Sequence, residues 1–174
     1  MINEQTIPWN RILHMYGLAT DTPGHLQALR SSNEASIHDA INHLSSAIVH
    51  QETVSPAAPY VAQVLLTALC TGEITHESAR TKTIEWFSYL AQCVQQVEIP
   101  SRDSVEEPDQ DLLDELATLD GDAADEFLEC NGVVLYEQTF PFGYIQCAEL
   151  APTFAAKLAT LPDATATAQA WRNI

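Results

Sequence analysis

The chain has 174 residues, with 24 acidic against seven basic side chains and six histidines, giving a net charge of −17 and a pI near 4.4. Nothing in it can neutralise a row of phosphates, which excludes a basic nucleic-acid-binding domain, and the same excess disfavours docking on an anionic membrane. A hydrophobic fraction of 46% with three Trp rules out a disordered acidic tail, and a chain of this size buries roughly 70% of its unfolded surface, so one compact domain is expected.

Almost every local signal is helical. Trp9 to Tyr16 reads as a short helix stopped by Gly17. Asp21-Thr22-Pro23 is a cap followed by a first-turn proline, opening a helix through Arg30. Ser32 or Asn33 caps the next helix, whose Ile37, Ile41, Leu44 and Ile48 fall on one face. Ser55-Pro56 opens a helix striped by Val61, Val64, Leu65, Ala68 and Leu69 and ended by Gly72. Thr75 caps a long helix with Ile84, Phe87, Ala91 and Val94 aligned. Residues 98–108, with two prolines and dense charge, read as an exposed linker.

Helical spacing resumes at Leu112, Leu113, Leu116 and Leu119, and Gly121-Asp122 marks a stop and a new start. Phe140-Pro141-Phe142-Gly143 reads as a loop, Glu149 to Leu161 as a helix, and Pro162-Asp163 as the start of a last one carrying Trp171. Residues 131–136 suit a helix or a short strand. Val49-His50-Gln51-Glu52-Thr53-Val54 and Leu135-Tyr136-Glu137-Gln138-Thr139-Phe140 look alike, which predicts two stacked helical subrepeats, about 9–97 and 109–174, within a single domain. The first ten residues have no basic region before an apolar core, and the apolar run at 61–70 is too short to span a bilayer, so a cytoplasmic protein is expected. Cys70, Cys93, Cys130 and Cys147 lack the close spacing of a zinc knuckle or redox motif and are expected to be buried as small hydrophobes in a reducing compartment, without disulfides.

The run His14-Met15-Tyr16-Gly17-Leu18-Ala19-Thr20-Asp21-Thr22-Pro23, with His50-Gln51-Glu52-Thr53-Val54-Ser55-Pro56-Ala57, resembles bacterial HEAT-repeat-like proteins over roughly residues 9–70. The resemblance implies an all-α, HEAT-like stack of antiparallel helix pairs, about eight helices in all. It implies a binding scaffold more than an activity. Glu52 stands where that pattern has Gly.

Sites of chemistry are few. His43 and His50 are seven apart, too far along a helix to share a metal, and His14, His25 and His76 form no i, i+4 pair, so no metal or other cofactor is expected. His50 reads as a structural residue bonding loop backbone. Asp120-Gly121-Asp122 fails the calcium-loop pattern, because Asp125 and Asn131 stand where Gly and an acid are needed. No nucleophile elbow or phosphate-cradling loop is present, and no catalysis is expected.

The functional signal is where the charge lies. Residues 88–174 carry net −13 against −4 for 1–87, and 13 acids between Glu98 and Glu129 face a single base, Arg102. Such density costs stability through self-repulsion, which points to a basic protein partner. The expected function is a non-catalytic acidic binding protein, in its sharpest form an immunity (antitoxin-like) protein occluding a cationic toxin or nuclease domain. Asp109, Asp111, Asp114, Glu115, Asp122, Asp125, Glu126 and Glu129 are the expected contacts, with Trp86, Tyr89 or Phe142 as apolar anchors. The alternatives are a metal-dependent hydrolase using His14 or His50, and a plain protein-interaction scaffold.

Overall fold

A computed structural model describes residues 3–174. The described chain is mostly helical, with two very small sheets. In chain order the elements are the hairpin β1 (Leu13–His14) and β2 (Gly17–Leu18), α1 (Thr22–Ala28) and α2 (Glu34–His43). A π-helical turn (Leu44–Ile48) then leads into the hairpin β3 (Val49–His50) and β4 (Thr53–Val54). The helices α3 (Ala58–Thr71), α4 (Glu77–Gln95), α5 (Gln110–Leu116), α6 (Gly121–Leu158) and α7 (Thr165–Arg172) follow. No described helix is long and apolar enough to cross a membrane.

Local chemistry sets several boundaries where the sequence placed them. Asn33 accepts from the Ser36 amide at 2.9 Å and caps α2. Gly72 ends α3 at φ +73°, a left-handed residue closing the helix. Helix α3 is buried on nearly all sides, from Ala58 through Leu69, and forms the axis of the main core. Helix α7 packs on α6 and α4 through aromatic edges: Trp171 lies 4.8 Å from Phe154 of α6 and 6.5 Å from Phe87 of α4, ring centre to ring centre. The Trp171 indole N–H donates to the Phe87 carbonyl at 3.1 Å, so the buried ring leaves no polar atom unpaired. A second, smaller core joins Leu13 of β1 to Leu113 and Leu116 of α5 and Leu135 of α6. Of the four cysteines expected to be buried, the structure buries Cys93 and Cys147 and leaves Cys70 and Cys130 exposed.

Three expectations are corrected. Residues 9–16 are not a helix: a 3₁₀ turn at Trp9–Arg11 gives way to the hairpin, with Gly17 at φ +120°. The Ala57 amide donates to the Leu13 carbonyl, the Met15 amide to Ala47, and the Ala19 amide to Ile12, so tertiary partners satisfy the backbone that a helix would have satisfied internally. Residues 140–143 are not a loop but the interior of α6, a helix of 38 residues and about 57 Å that also includes 131–136. Prolines 141 and 152 remove two backbone donors, leaving the carbonyls of Glu137 and Ala148 without their usual partners. Finally, the look-alike segments differ in conformation, since 49–54 is the hairpin β3–β4 whereas 135–140 lies within α6.

Packing explains why α6 continues. At Gly143 the helix approaches the start of α3 so closely that a Cβ there would lie 2.6 Å from the Ser55 carbonyl oxygen. The next residue, Tyr144, accepts from the Val54 amide at 3.0 Å and donates to the Glu52 carbonyl at 3.2 Å. Tyr89 of α4 accepts from the Glu52 amide, so two tyrosines brace the tip of the β3–β4 hairpin. That tip needs bracing because Gln51 and Glu52 both sit at positive φ without being glycine.

Two glycines of α6 therefore make opposite predictions. Gly143→Ala loses about 2 kcal/mol of stability through overpacking. Gly132→Ala meets only ordinary contacts, the nearest being Tyr136 at 3.4 Å, and gains about 0.5–1 kcal/mol of helix propensity. Urea unfolding of the two variants distinguishes them by sign.

Candidate functional site

The small second core packs α5 against the first half of α6, and these two neighbouring helices carry the expected contact residues. Asp109 caps α5, accepting from the amides of Asp111 and Leu112 at 3.0 and 3.1 Å. Asp111, Asp114 and Glu115 are exposed on α5, and Asp114 is paired with Arg11 at 2.9 Å. Asp122, Asp125, Glu126 and Glu129 are exposed on the opening turns of α6. Asp122, Glu126 and Glu129 repeat at steps of four and three, so they share one face.

That face continues beyond the charges. Cys130, Val133 and Glu137 follow in the same stripe, and Val133 is 70% exposed with Val134 beside it at 46%. An apolar strip is thus bordered by Glu126, Glu129 and Glu137. Of the expected anchors, Trp86 is buried and donates its indole N–H to the Leu44 carbonyl, so it is unavailable to a partner. Tyr89 is committed to the hairpin tip. Phe142 lies half-buried under the Arg102 guanidinium, 5.7 Å from its ring centre.

A second cluster was not foreseen. The β1–β2 hairpin and the start of α1 bring His14, Asp21 and His43 together, with one ligand-type atom from each lying within 4.8 Å of the others. Asp21 stands before α1 but does not cap it; its carboxylate turns to the histidines instead. His14 Nδ1 accepts from the Tyr16 amide at 3.1 Å, which places the ring proton on Nε2, 3.1 Å from Asp21 Oδ1, where it donates. His43 Nε2 lies 3.0 Å from the buried Thr22 hydroxyl, and its Nδ1 lies 3.8 Å from Asp21 Oδ2. A neutral ring with its proton on Nδ1 suits both neighbours, Thr22 then donating to Nε2. His25 stacks on His43 with ring centres 4.1 Å apart. His50 lies outside this network: its backbone pairs with Thr53 and its ring tilts against Tyr16.

The Tyr16 amide decides what the cluster does chemically. A metal on His14 Nε2 would require the proton on Nδ1, which faces an N–H donor. A general base would require a free imidazole lone pair, and both nitrogens of His14 are engaged. The arrangement is a hydrogen-bond network, buried at His14 and His43 and open to solvent at Asp21, that ties hairpin, α1 and α2 together.

This network is sensitive to acid. Burial, with the neighbouring His25 and His14 acting in the same sense against Asp21, pushes the His43 pKa down to about 4 from an ordinary 6.5. Burial acts to raise the pKa of Asp21, but the His14 hydrogen bond and the adjacent imidazoles outweigh it and hold it at about 2. Below pH 6.5 the unfolded chain binds a proton at His43 that the folded chain refuses until about pH 4, so stability falls across that window. The stabilising contribution of Asp21 is lost separately, only as pH falls below 3.8 toward about 2. We expect the His43 effect to reach about 2 kcal/mol between pH 7 and pH 5. Urea midpoints measured across this range should fall more steeply for the native chain than for His43→Gln; parallel curves would refute the assignment.

No family model, curated protein or solved structure matches this chain.

Proposed function

We propose that this chain is a non-catalytic binding protein that uses the acidic surface of α5 and α6 to occlude a basic site on a partner protein. The observation that carries the reading is the exposed Val133–Val134 strip bordered by Glu126, Glu129 and Glu137 and continuous with Asp122, on the helix packed against α5, which itself carries Asp111 and Glu115. An apolar centre ringed by like charge suits a partner with an apolar patch inside a cationic rim, the valines supplying affinity and the carboxylates encounter rate and orientation. An immunity or antitoxin-like role toward a cationic toxin or nuclease domain is the form of this reading that best accounts for so much unpaired negative charge. The HEAT-like stack suggested by the N-terminal motifs would serve as the scaffold holding the surface rigid. The hydrolase alternative gains no support at His14, whose ring nitrogens are both engaged.

The test is co-purification from the native cells, followed by stopped-flow measurement with the purified partner. The expected partner is basic, and its association slows about tenfold or more from low to high salt. Reversing Asp111, Glu115, Glu126 and Glu129 to Lys should lower the association rate, whereas Val133→Asp should chiefly speed dissociation. An acidic or neutral partner, or an on-rate indifferent to salt and to charge reversal, would overturn the reading.

A further inference from the structure

The structure assigns a second binding site, on the side of α5 away from the acidic strip and independent of the partner reading. An open cavity of about 420 Å³ lies between the 3₁₀ turn before β1, the linker ahead of α5, the start of α3 and the middle of α6. Its volume falls in the range of small-molecule sites. Two of the seven cationic side chains of this strongly acidic protein, Arg11 and Arg102, line it. We propose that the cavity binds a monoanionic carboxylate with an aromatic or branched apolar body.

Both guanidinium groups are available to such a ligand. Arg11 and Arg102 are 53% and 49% exposed, and their acidic neighbours Asp114 and Glu149 are exposed to a similar degree. Ion pairs of this kind are worth little in water and exchange readily for a better-placed oxyanion. Arg102 is the freer of the two, since Glu149 Oε1 lies 3.6 Å from its Nε, beyond good hydrogen-bond length. Its guanidinium carbon lies 5.7 Å from the Phe142 ring centre, a cation–π distance that leaves its N–H groups able to turn to a carboxylate. By contrast, Arg80 is locked to Asp163 by two bonds of 2.6 and 2.8 Å, and Arg30 lies between Glu4 and Glu73.

The remaining walls define the ligand further. Ile12, Leu13 and Leu113 supply an apolar floor, and Tyr60 and Phe142 supply aromatic surface. Glu107 among the lining residues, with Asp114 and Glu149 beside the two arginines, leaves no positive excess here, which disfavours a polyphosphate and limits the ligand to a monoanion that takes over an arginine from its carboxylate. Gln110 and Gln146 add neutral donors and acceptors that orient a polar head without changing that balance.

The probe is 2-naphthoate, with the neutral naphthalene-2-methanol as its control, titrated calorimetrically into the full chain. Naphthoate should bind one-to-one and about tenfold or more tighter than the alcohol. Arg102→Gln and Arg11→Gln should each weaken it about tenfold, and the double variant should bind the two probes alike. Both arginines are half-exposed, and an unchanged near-ultraviolet circular dichroism spectrum would confirm that the variants fold. Phe142→Leu keeps apolar volume but removes the platform under Arg102, so it should weaken naphthoate more than the alcohol. No saturable naphthoate binding, equal affinity for the two probes, or affinity that survives the double substitution would each overturn the proposal.

Discussion

The extended pair Leu13–His14 faces two ways, and the arrangement of the rest depends on it. Leu13 enters the small core that carries α5 and the front of α6, while its carbonyl accepts the Ala57 amide at the head of α3. His14 points to the opposite side, where its two ring nitrogens join the Tyr16 amide to Asp21 at the start of α1. A helix through these residues would have spent their backbone groups on itself. As a two-residue strand they connect the main core, the second core and the first helix, and Leu13 joins Leu135 of α6 as the buried surface on which Leu113 and Leu116 of α5 pack. Helix α5 is thus tied to the N-terminal hairpin as well as to α6.

That packing has to resist considerable repulsion. The carboxylates on α5 and the opening of α6 stand on the outer faces of two helices joined by a small core whose buried members are four leucines. Asp109 spends part of its charge on capping α5, and Arg11 offsets Asp114, but the other acids on this surface gain no cation. Acidic residues in the first turns of both helices are favourable to the helix dipoles, at most a fraction of a kcal/mol each. These contributions offset little of the repulsion within this charge, which is the physical motive for the proposed cationic partner.

How much of this was legible in the sequence follows from which forces acted locally. Helices α2, α3 and α4 bury one stripe or more against the core, and their apolar spacing, the Asn33 cap and the Gly72 stop were readable because each depends on neighbours within one turn. The charge on α5 and α6 was readable because exposure needs no partner. The hairpins were not: their strands are two residues long, and the β3–β4 turn uses Gln51 and Glu52 where a glycine or asparagine would have announced it. Phe140-Pro141-Phe142-Gly143 carries loop signals, yet the contact of Gly143 with Ser55 and the Tyr144 bonds to the hairpin hold it helical. The His14–Asp21–His43 network leaves no i, i+4 pair in the sequence because a hairpin and a helix junction, not one helix face, assemble it.

The two proposed sites share a wall, which links them physically. Helix α5 presents Asp111 and Glu115 outward and Leu113 to the cavity floor, and Asp114 reaches Arg11 on the cavity rim. An anion that draws Arg11 toward the cavity must loosen its pair with Asp114, returning a full negative charge to the surface offered to a cationic partner. Conversely, a cation that engages Asp114 leaves Arg11 free for the anion. Each ligand thereby removes a competitor of the other, and by linkage the coupling has the same sign and size in both directions. The pair is half-exposed, so the coupling is modest, of the order of the pair itself at about 0–1 kcal/mol. Arg11 belongs to the turn that leads directly into Leu13–His14, so this exchange takes place beside the strand on which α5 is anchored.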